Sequence, residues 1–127
     1  MRIGILEDSP AVSNVLKAAL ELTGYTVQDY HDATEFLASI HSEHSSPPAD
    51  LFDLIIVDFL LPGELTGIQV ISQVRRIYPD LPAFLISAAP IHTLVAATRD
   101  YPDIKVIQKP FRVSALLTAI EKAKNAS

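Results

Sequence analysis

The chain has 127 residues, 49% of them hydrophobic, with a formal net charge of −5 and no cysteine. That is enough apolar mass for one ordinary core, and it excludes a disordered chain; no apolar stretch approaches the about 18 residues of a membrane-spanning helix. The acidic balance, with no basic cluster beyond Arg75-Arg76, argues against direct nucleic-acid binding, and the lack of cysteine removes any disulfide or thiolate metal site and suits a cytoplasmic setting.

Ile3 to Leu6 reads as a first buried strand that ends in Glu7-Asp8. Ser9 as N-cap and Pro10 at the first helical position then open a helix. Val12, Val15, Leu16, Ala19, Leu20 and Leu22 recur along it at helical spacing, and Gly24 stops it. Tyr25 to Tyr30 is a second strand, more polar than the first, as suits a sheet edge. Asp32-Ala-Thr-Glu35 has the form of a capping box for a second helix carrying Phe36, Leu37 and Ile40. His41 to Asp50, with its serines and prolines, reads as an extended surface loop, and His41 and His44 as solvated residues of it rather than metal ligands.

Leu54-Ile-Ile-Val57 is an aliphatic run suited to a strand buried on both faces, and it delivers a single carboxylate, Asp58. Pro62-Gly63 and Gly67 shape the turn that follows. The next helix turns Ile68, Val70, Ile71, Val74 and Ile77 mainly inward, until Pro79 ends it. Ala83 to Ile86 forms a fourth strand ending in Ser87. Pro90 opens a helix with Ile91, Leu94 and Val95 that runs to Tyr101-Pro102. Ile104 to Gln108 is the fifth strand, mixed in character, and it ends in Lys109-Pro110. The last helix puts Val113, Leu116, Leu117 and Ile120 on one face, with Lys122 and Lys124 near its carboxyl end, where cations suit the dipole.

Strand and helix alternate five times, so the expected fold is α/β: a three-layer, doubly wound (βα)5 unit with a parallel sheet and right-handed crossovers. The three most apolar strands, the first, third and fourth, belong in the middle, which matches the order 2-1-3-4-5. Residues 1–127 are expected to form one such unit, with no second domain in the sequence.

A lone acid at a strand end is ordinarily a turn or cap residue. Here Glu7, Asp8, Asp58, Ser87 and Lys109 all follow strands, and a parallel sheet puts every one on the same rim. Carboxylates gathered within about 5 Å repel by roughly 3–4 kcal/mol per pair at an effective dielectric near 20. One lysine cannot offset that, so either a carboxylate stays protonated or a divalent cation sits among them. An open, all-oxygen site favours Mg²⁺ over Zn²⁺. A carboxylate beside such a cation is equipped to accept a phosphoryl group: Asp58 as nucleophile, Lys109 spreading charge on the equatorial oxygens, and Ser87 donating a hydrogen bond to one of them.

With these residues in order, the whole chain resembles the receiver domain of two-component response regulators, the CheY-like branch of flavodoxin-like folds. The motifs that carry the resemblance are Glu7-Asp8, Asp58 with Pro62-Gly63, Ser87-Ala88 and Lys109-Pro110-Phe111. It implies a signalling phosphoacceptor rather than a metabolic enzyme, charged from a phosphohistidine on a sensor histidine kinase or a histidine phosphotransfer protein. It further implies direct Mg²⁺ ligation by Asp8 and Asp58, ligation through water by Glu7, and a contribution from the main-chain carbonyl of Leu60. Ser87, Ala88 and Lys109 would hold the phosphoryl group, and the Lys109-Pro110 bond would be cis. The kinase would dock against the first helix and the loop after Lys109, including Pro10, Ala11 and Phe111. The fourth helix shows a weakly charged outer face (His92, Thr93, Ala96) that would suit an output partner, or a dimer through the fourth helix, fifth strand and fifth helix, against the commoner case of a merely tolerated surface.

Several positions depart from the family's pattern. Val106 stands where an aromatic switch residue is usual, so the coupling of its ring to Ser87 is expected to be missing or muted. Leu60 and Ala89 offer no side-chain group to orient a water, so a long-lived acyl phosphate is expected. Thr66 stands before Gly67 where Asp is frequent, a change of turn chemistry. Other readings are weaker. Flavin or nucleotide binding needs a glycine- or hydroxyl-rich loop after the first strand, and Glu7-Asp8-Ser9-Pro10 is its electrostatic opposite. An aspartyl phosphatase needs a second acid where Leu60 stands. A degenerate receiver serving only as a docking scaffold would not need the full set of acids, hydroxyl and lysine.

Overall fold

A computed structural model describes residues 1–41 and 52–125. Strands β1 (Arg2–Leu6), β2 (Thr26–Tyr30), β3 (Leu54–Asp58), β4 (Ala83–Ser87) and β5 (Lys105–Gln108) alternate with helices α1 (Pro10–Leu22), α2 (Ala33–His41), α3 (Gly67–Ile77), α4 (Ile91–Ala97) and α5 (Val113–Asn125). The strands form one parallel sheet in the order β2-β1-β3-β4-β5. This is the expected architecture. The loop expected after α2, with His44, lies outside the described residues.

Residues of a strand alternate between faces, and each face of this sheet carries its own core. Ile55, Val57 and Leu85 pack with Phe36, Val70, Ile71, Val74 and Leu94, on the side of α2, α3 and α4. Ile3, Ile5, Ile56 and Ile86 pack with Leu16, Leu20, Leu116 and Ile120, on the side of α1 and α5. Burying one such aliphatic side chain is worth about 1.5–3 kcal/mol, so β3 and β4, each buried along its whole length, are the centre of the hydrophobic stabilisation. Phe52 lies over Gly4, where a Cβ would stand 3.0 Å from the ring, and it stacks on Phe36 with centroids 6.3 Å apart.

The helices follow the expected starts more closely than the expected faces. Ser9 caps α1, its side chain accepting from the Val12 N–H. The buried stripe of α1 is Ser13, Leu16 and Leu20. Leu22 lies two residues past Leu20, about 200° round the helix, and is 89% exposed. Val15 is also exposed. Helix α4 is shorter than expected, ending at Ala97 rather than near Tyr101: after the Thr98 N–H, which still returns to the Leu94 carbonyl, the chain passes into i→i−3 turns, with the Arg99 N–H on the Ala96 carbonyl and the Tyr101 N–H on that of Thr98. Only Leu94 of α4 is buried, while Ile91 and Val95 face outward.

The amino ends of β4 and β5 are fastened by one side chain. The Arg75 guanidinium donates to the Leu81 carbonyl at 3.2 and 3.1 Å and pairs with Asp103 at 2.7 Å. It thereby ties α3 to the segments leading into β4 and β5.

Candidate functional site

The register of the sheet builds the opposite rim. Leu6 stands beside Val57, Asp58 beside Ile86, and Ser87 beside Gln108, so the carboxyl ends of β1, β3, β4 and β5 finish level. The Lys109 N–H continues the ladder by donating to the Ser87 carbonyl at 2.6 Å, and the Phe59 N–H donates to the Ile86 carbonyl at 2.9 Å. Glu7, Asp8, Asp58, Ser87 and Lys109 therefore share one edge.

Glu7, Asp8 and Asp58 each offer a carboxylate oxygen within 4.8 Å of the others. Glu7 is fully buried and has both oxygens engaged: the Lys109 ammonium donates to Oε1 and the Ser9 N–H to Oε2, the latter at 3.2 Å. Asp58, also buried, accepts from the Leu60 N–H through Oδ1 at 3.0 Å and from Lys109 Nζ through Oδ2 at 3.1 Å. Asp8 is exposed and borders the pair. Lys109 thus bridges two acids and faces three.

The titration of two groups reflects that imbalance. Partial desolvation at the rim pushes the Asp8 carboxyl above its ordinary value, aided by a hydrogen bond to Glu7 and by repulsion from it. Burial alone would depress Lys109, but hydrogen bonds and attraction from Glu7 and Asp58 outweigh it and hold the ammonium above its usual range. Three acids against one lysine leave two negative charges uncompensated, a deficit that matches one divalent cation. All the donors are oxygen, so the cluster fits a hard cation.

Ser87 is buried, and its Oγ accepts from the Ala89 N–H at 3.0 Å, which leaves its hydroxyl proton available for donation. Ala88 is exposed beside Lys109, and the two border an apolar groove lined by Ala11, Val15, Pro110 and Phe111. The Lys109-Pro110 bond is cis. Val106 is partly buried against the core on the α4 side, and Leu60 is 55% exposed next to Asp58.

Some partners were not visible in the sequence. His31 Nδ1 lies 3.1 Å from the Glu7 carbonyl, and the Gln108 amide reaches the Ala89 carbonyl at 2.9 Å. Thr66 does more than alter a turn: with Gln69 it forms a complete capping box that starts α3 directly behind Asp58. A polar pair at cap spacing was the available signal. At the expected box, Asp32 Oδ1 accepts from the Glu35 N–H at 2.7 Å.

A flavodoxin-like sheet with acids, a hydroxyl and a lysine on its carboxyl rim defines a class of signalling domains, and the comparisons agree with it. The model of the response regulator receiver domain matches residues 3–121. The response regulator MprA of Mycobacterium ulcerans is 31% identical over 117 residues, covering 92% of this chain and 47% of the relative. The nitrogen assimilation regulatory protein NtrX of Azorhizobium caulinodans is also 31% identical, over 94% of this chain and 25% of its own length. Among solved structures, a CheY-like receiver domain protein from Methanospirillum hungatei superposes with a TM-score of 0.84 at 24% identity, over 98% of this chain and 94% of that one. The response regulator TrrA of Thermotoga maritima, solved in complex with Mg²⁺ and BeF, superposes with a TM-score of 0.78 at 23% identity, over 95% and 96% of the chains.

The chain belongs to the response regulator receiver domain family. Its family role is signalling rather than metabolic catalysis. It spans about half the length, or less, of the curated relatives described. Among the described residues, no helix is long and apolar enough to cross a membrane.

Proposed function

We propose that residues 1–127 act as one phosphoacceptor receiver unit in the cytoplasm, in which Asp58 takes a phosphoryl group from a phosphohistidine on a sensor histidine kinase or histidine phosphotransfer protein. The observation that carries this reading is the Asp58 carboxylate held by Lys109 inside a cluster of three acids. An Asp58 oxygen forms its bond to phosphorus as the bond from phosphorus to the donor's imidazole nitrogen breaks. That nitrogen keeps the electron pair, and the ring, protonated on its other nitrogen, leaves neutral. Lys109 then follows the charge from the carboxylate to the phosphoryl oxygens, and the Ser87 hydroxyl and the Ala88 N–H donate to the others.

Mg²⁺ is the cation that the cluster suits, and when bound it supplies charge neutralisation at the phosphoryl oxygens. Asp8, Asp58 and the main-chain carbonyl of Leu60 would hold it. Glu7, whose oxygens both already accept hydrogen bonds, would act through water. The groove of Ala11, Val15, Pro110 and Phe111 beside Lys109 suits the docking of the phosphohistidine donor. The α4–β5–α5 face, with Ile91 and Val95 exposed, suits an output partner or a second copy of this chain.

The test is incubation with acetyl phosphate and Mg²⁺, read by intact mass. The expected result is a gain of one phosphoryl group, lost in Asp58→Asn and on chelation of Mg²⁺. No gain by the wild-type chain would overturn the reading in favour of a docking scaffold.

A further inference from the structure

Val106 lacks the ring through which this family commonly links its hydroxyl to the outer face, yet β5 still reaches Ser87 by another route. In the parallel register Gln108 stands beside Ser87. Side chains on a strand alternate, so Gln108 projects to the same face as Val106, which packs on the α4 side of the sheet. From there Gln108 Nε2 donates to the Ala89 carbonyl at 2.9 Å, while the Ala89 N–H donates to Ser87 Oγ at 3.0 Å. Ala89 is therefore held at both ends. Its N–H is held by the hydroxyl assigned to the phosphoryl group, and its carbonyl by the last side chain of β5. The next residue, Pro90, is the N-cap of α4, with the Thr93 and Leu94 N–H groups on its carbonyl.

We propose that Gln108 is a positioning residue for Ser87, clamping the Ala89 carbonyl so that the state of the phosphoryl site is coupled to the start of α4 and to the exposed edge of β5. The coupling rests on the reading of Asp58 as phosphoacceptor. When the Ser87 side chain rotates about χ1 to carry its hydroxyl to a phosphoryl oxygen, Oγ moves off the Ala89 N–H, and the Gln108 bond is then the tie that holds the loop in its starting arrangement. Gln108 thus opposes the phosphate-ready state and reports it at the surface. Its side chain is exposed, so replacing it leaves the core intact.

The test compares Gln108→Leu, which removes the donor, with Gln108→Lys, which keeps an N–H donor at the end of a chain. Two quantities are read: hydrogen exchange of the Ala89 amide in the unphosphorylated protein, and the rate of phosphoryl uptake from acetyl phosphate in Mg²⁺. Loss of one partly exposed hydrogen bond is expected to speed each by about three-fold in Gln108→Leu, with Gln108→Lys close to wild type. Unchanged Ala89 exchange in Gln108→Leu overturns the clamp, whatever the uptake. Changed exchange with unchanged uptake overturns the coupling, and a lysine variant that behaves like leucine overturns the hydrogen bond as its basis. A wild-type protein that takes up no phosphoryl group overturns the proposed function and the coupling with it. The Ala89 exchange then still shows whether the clamp exists, so the two failures are separable.

Discussion

A Cβ on Gly67 would lie 2.3 Å from the carbonyl oxygen of Asp58 and 2.9 Å from the Phe59 Cα, so α3 begins against the very backbone that carries the acceptor. The Gly67 N–H in turn donates to the Phe59 carbonyl at 3.0 Å. Both obstructing atoms are main chain, and neither can rotate away. Gly67→Ala is expected to cost about 2–3 kcal/mol in denaturant unfolding, at the upper end of overpacking. It is also expected to weaken Mg²⁺ binding by displacing Asp58. Gly63→Ala is the control: its φ of +96° strains an alanine, but nothing stands within 4 Å, so about 1–2 kcal/mol and an intact site are expected.

The raised Asp8 carboxyl predicts a pH dependence. A group whose folded value lies above its unfolded one stabilises below the unfolded value, and that contribution is lost as pH rises through the folded one. At neutral pH, without a cation, ionised Asp8 therefore opposes folding. Asp8→Asn is expected to raise the melting temperature of the Mg²⁺-free protein while abolishing the rise that Mg²⁺ produces in wild type. That Mg²⁺-dependent rise should shrink as pH falls through the raised value, since the cation and the proton compete for one carboxylate. Melting curves with and without Mg²⁺ across pH check both statements.

Far from the rim, the Tyr25 hydroxyl donates to Glu121 at 2.6 Å and joins the entry of β2 to α5. That bond, with burial and the nearby charge, pushes the phenol up from 10.0 to about 12. The stabilisation is complete below pH 10 and is lost as pH rises through about 12. Tyr25→Phe is expected to cost about 1 kcal/mol at neutral pH. It should also remove this group's share of the alkaline decline, measured by urea unfolding at stepped pH.

Leu60 projects more than half exposed beside Asp58, and Ala89 is nearly buried; neither side chain can orient a water on the acyl phosphate. If Asp58 is charged as proposed, its phosphoryl group decays slowly. Leu60→Asn, which supplies an amide at that position, is expected to speed hydrolysis by about ten-fold, a modest fraction of what a placed catalytic group contributes. The decay of the phosphorylated mass after removal of donor is the measurement. Equal decay rates would remove Leu60 as the determinant.

The sheet was legible because its signal is additive: each apolar run is ended by a polar residue, and parallel pairing forces those ends onto one rim. The gathering of Glu7, Asp8, Asp58, Ser87 and Lys109 follows from that geometry alone. What each side chain grips there does not follow. Glu7 taking Lys109 and the Ser9 N–H, and Gln108 reaching Ala89, depend on contacts between segments distant in the chain, which periodicity does not encode. Faces were harder than elements for a similar reason. Leu22 and Val95 fit an apolar pattern, but the stripes that pack are set by where each helix crosses the sheet. Helix α4 stopped short of its expected end because the chain turns into i→i−3 bonds at Arg99 and Tyr101, ahead of the proline that was expected to end it.

The Arg75 clasp on Leu81 and Asp103 gives the molecule an anchored end. With α3 and the entries to β4 and β5 pinned together there, a disturbance that begins at Ser87 has a pivot behind it and open solvent ahead. Displacement should then grow outward like the swing of a door, smallest at its frame beside Arg75 and largest along Ile91 and Val95, where a visiting surface would feel it.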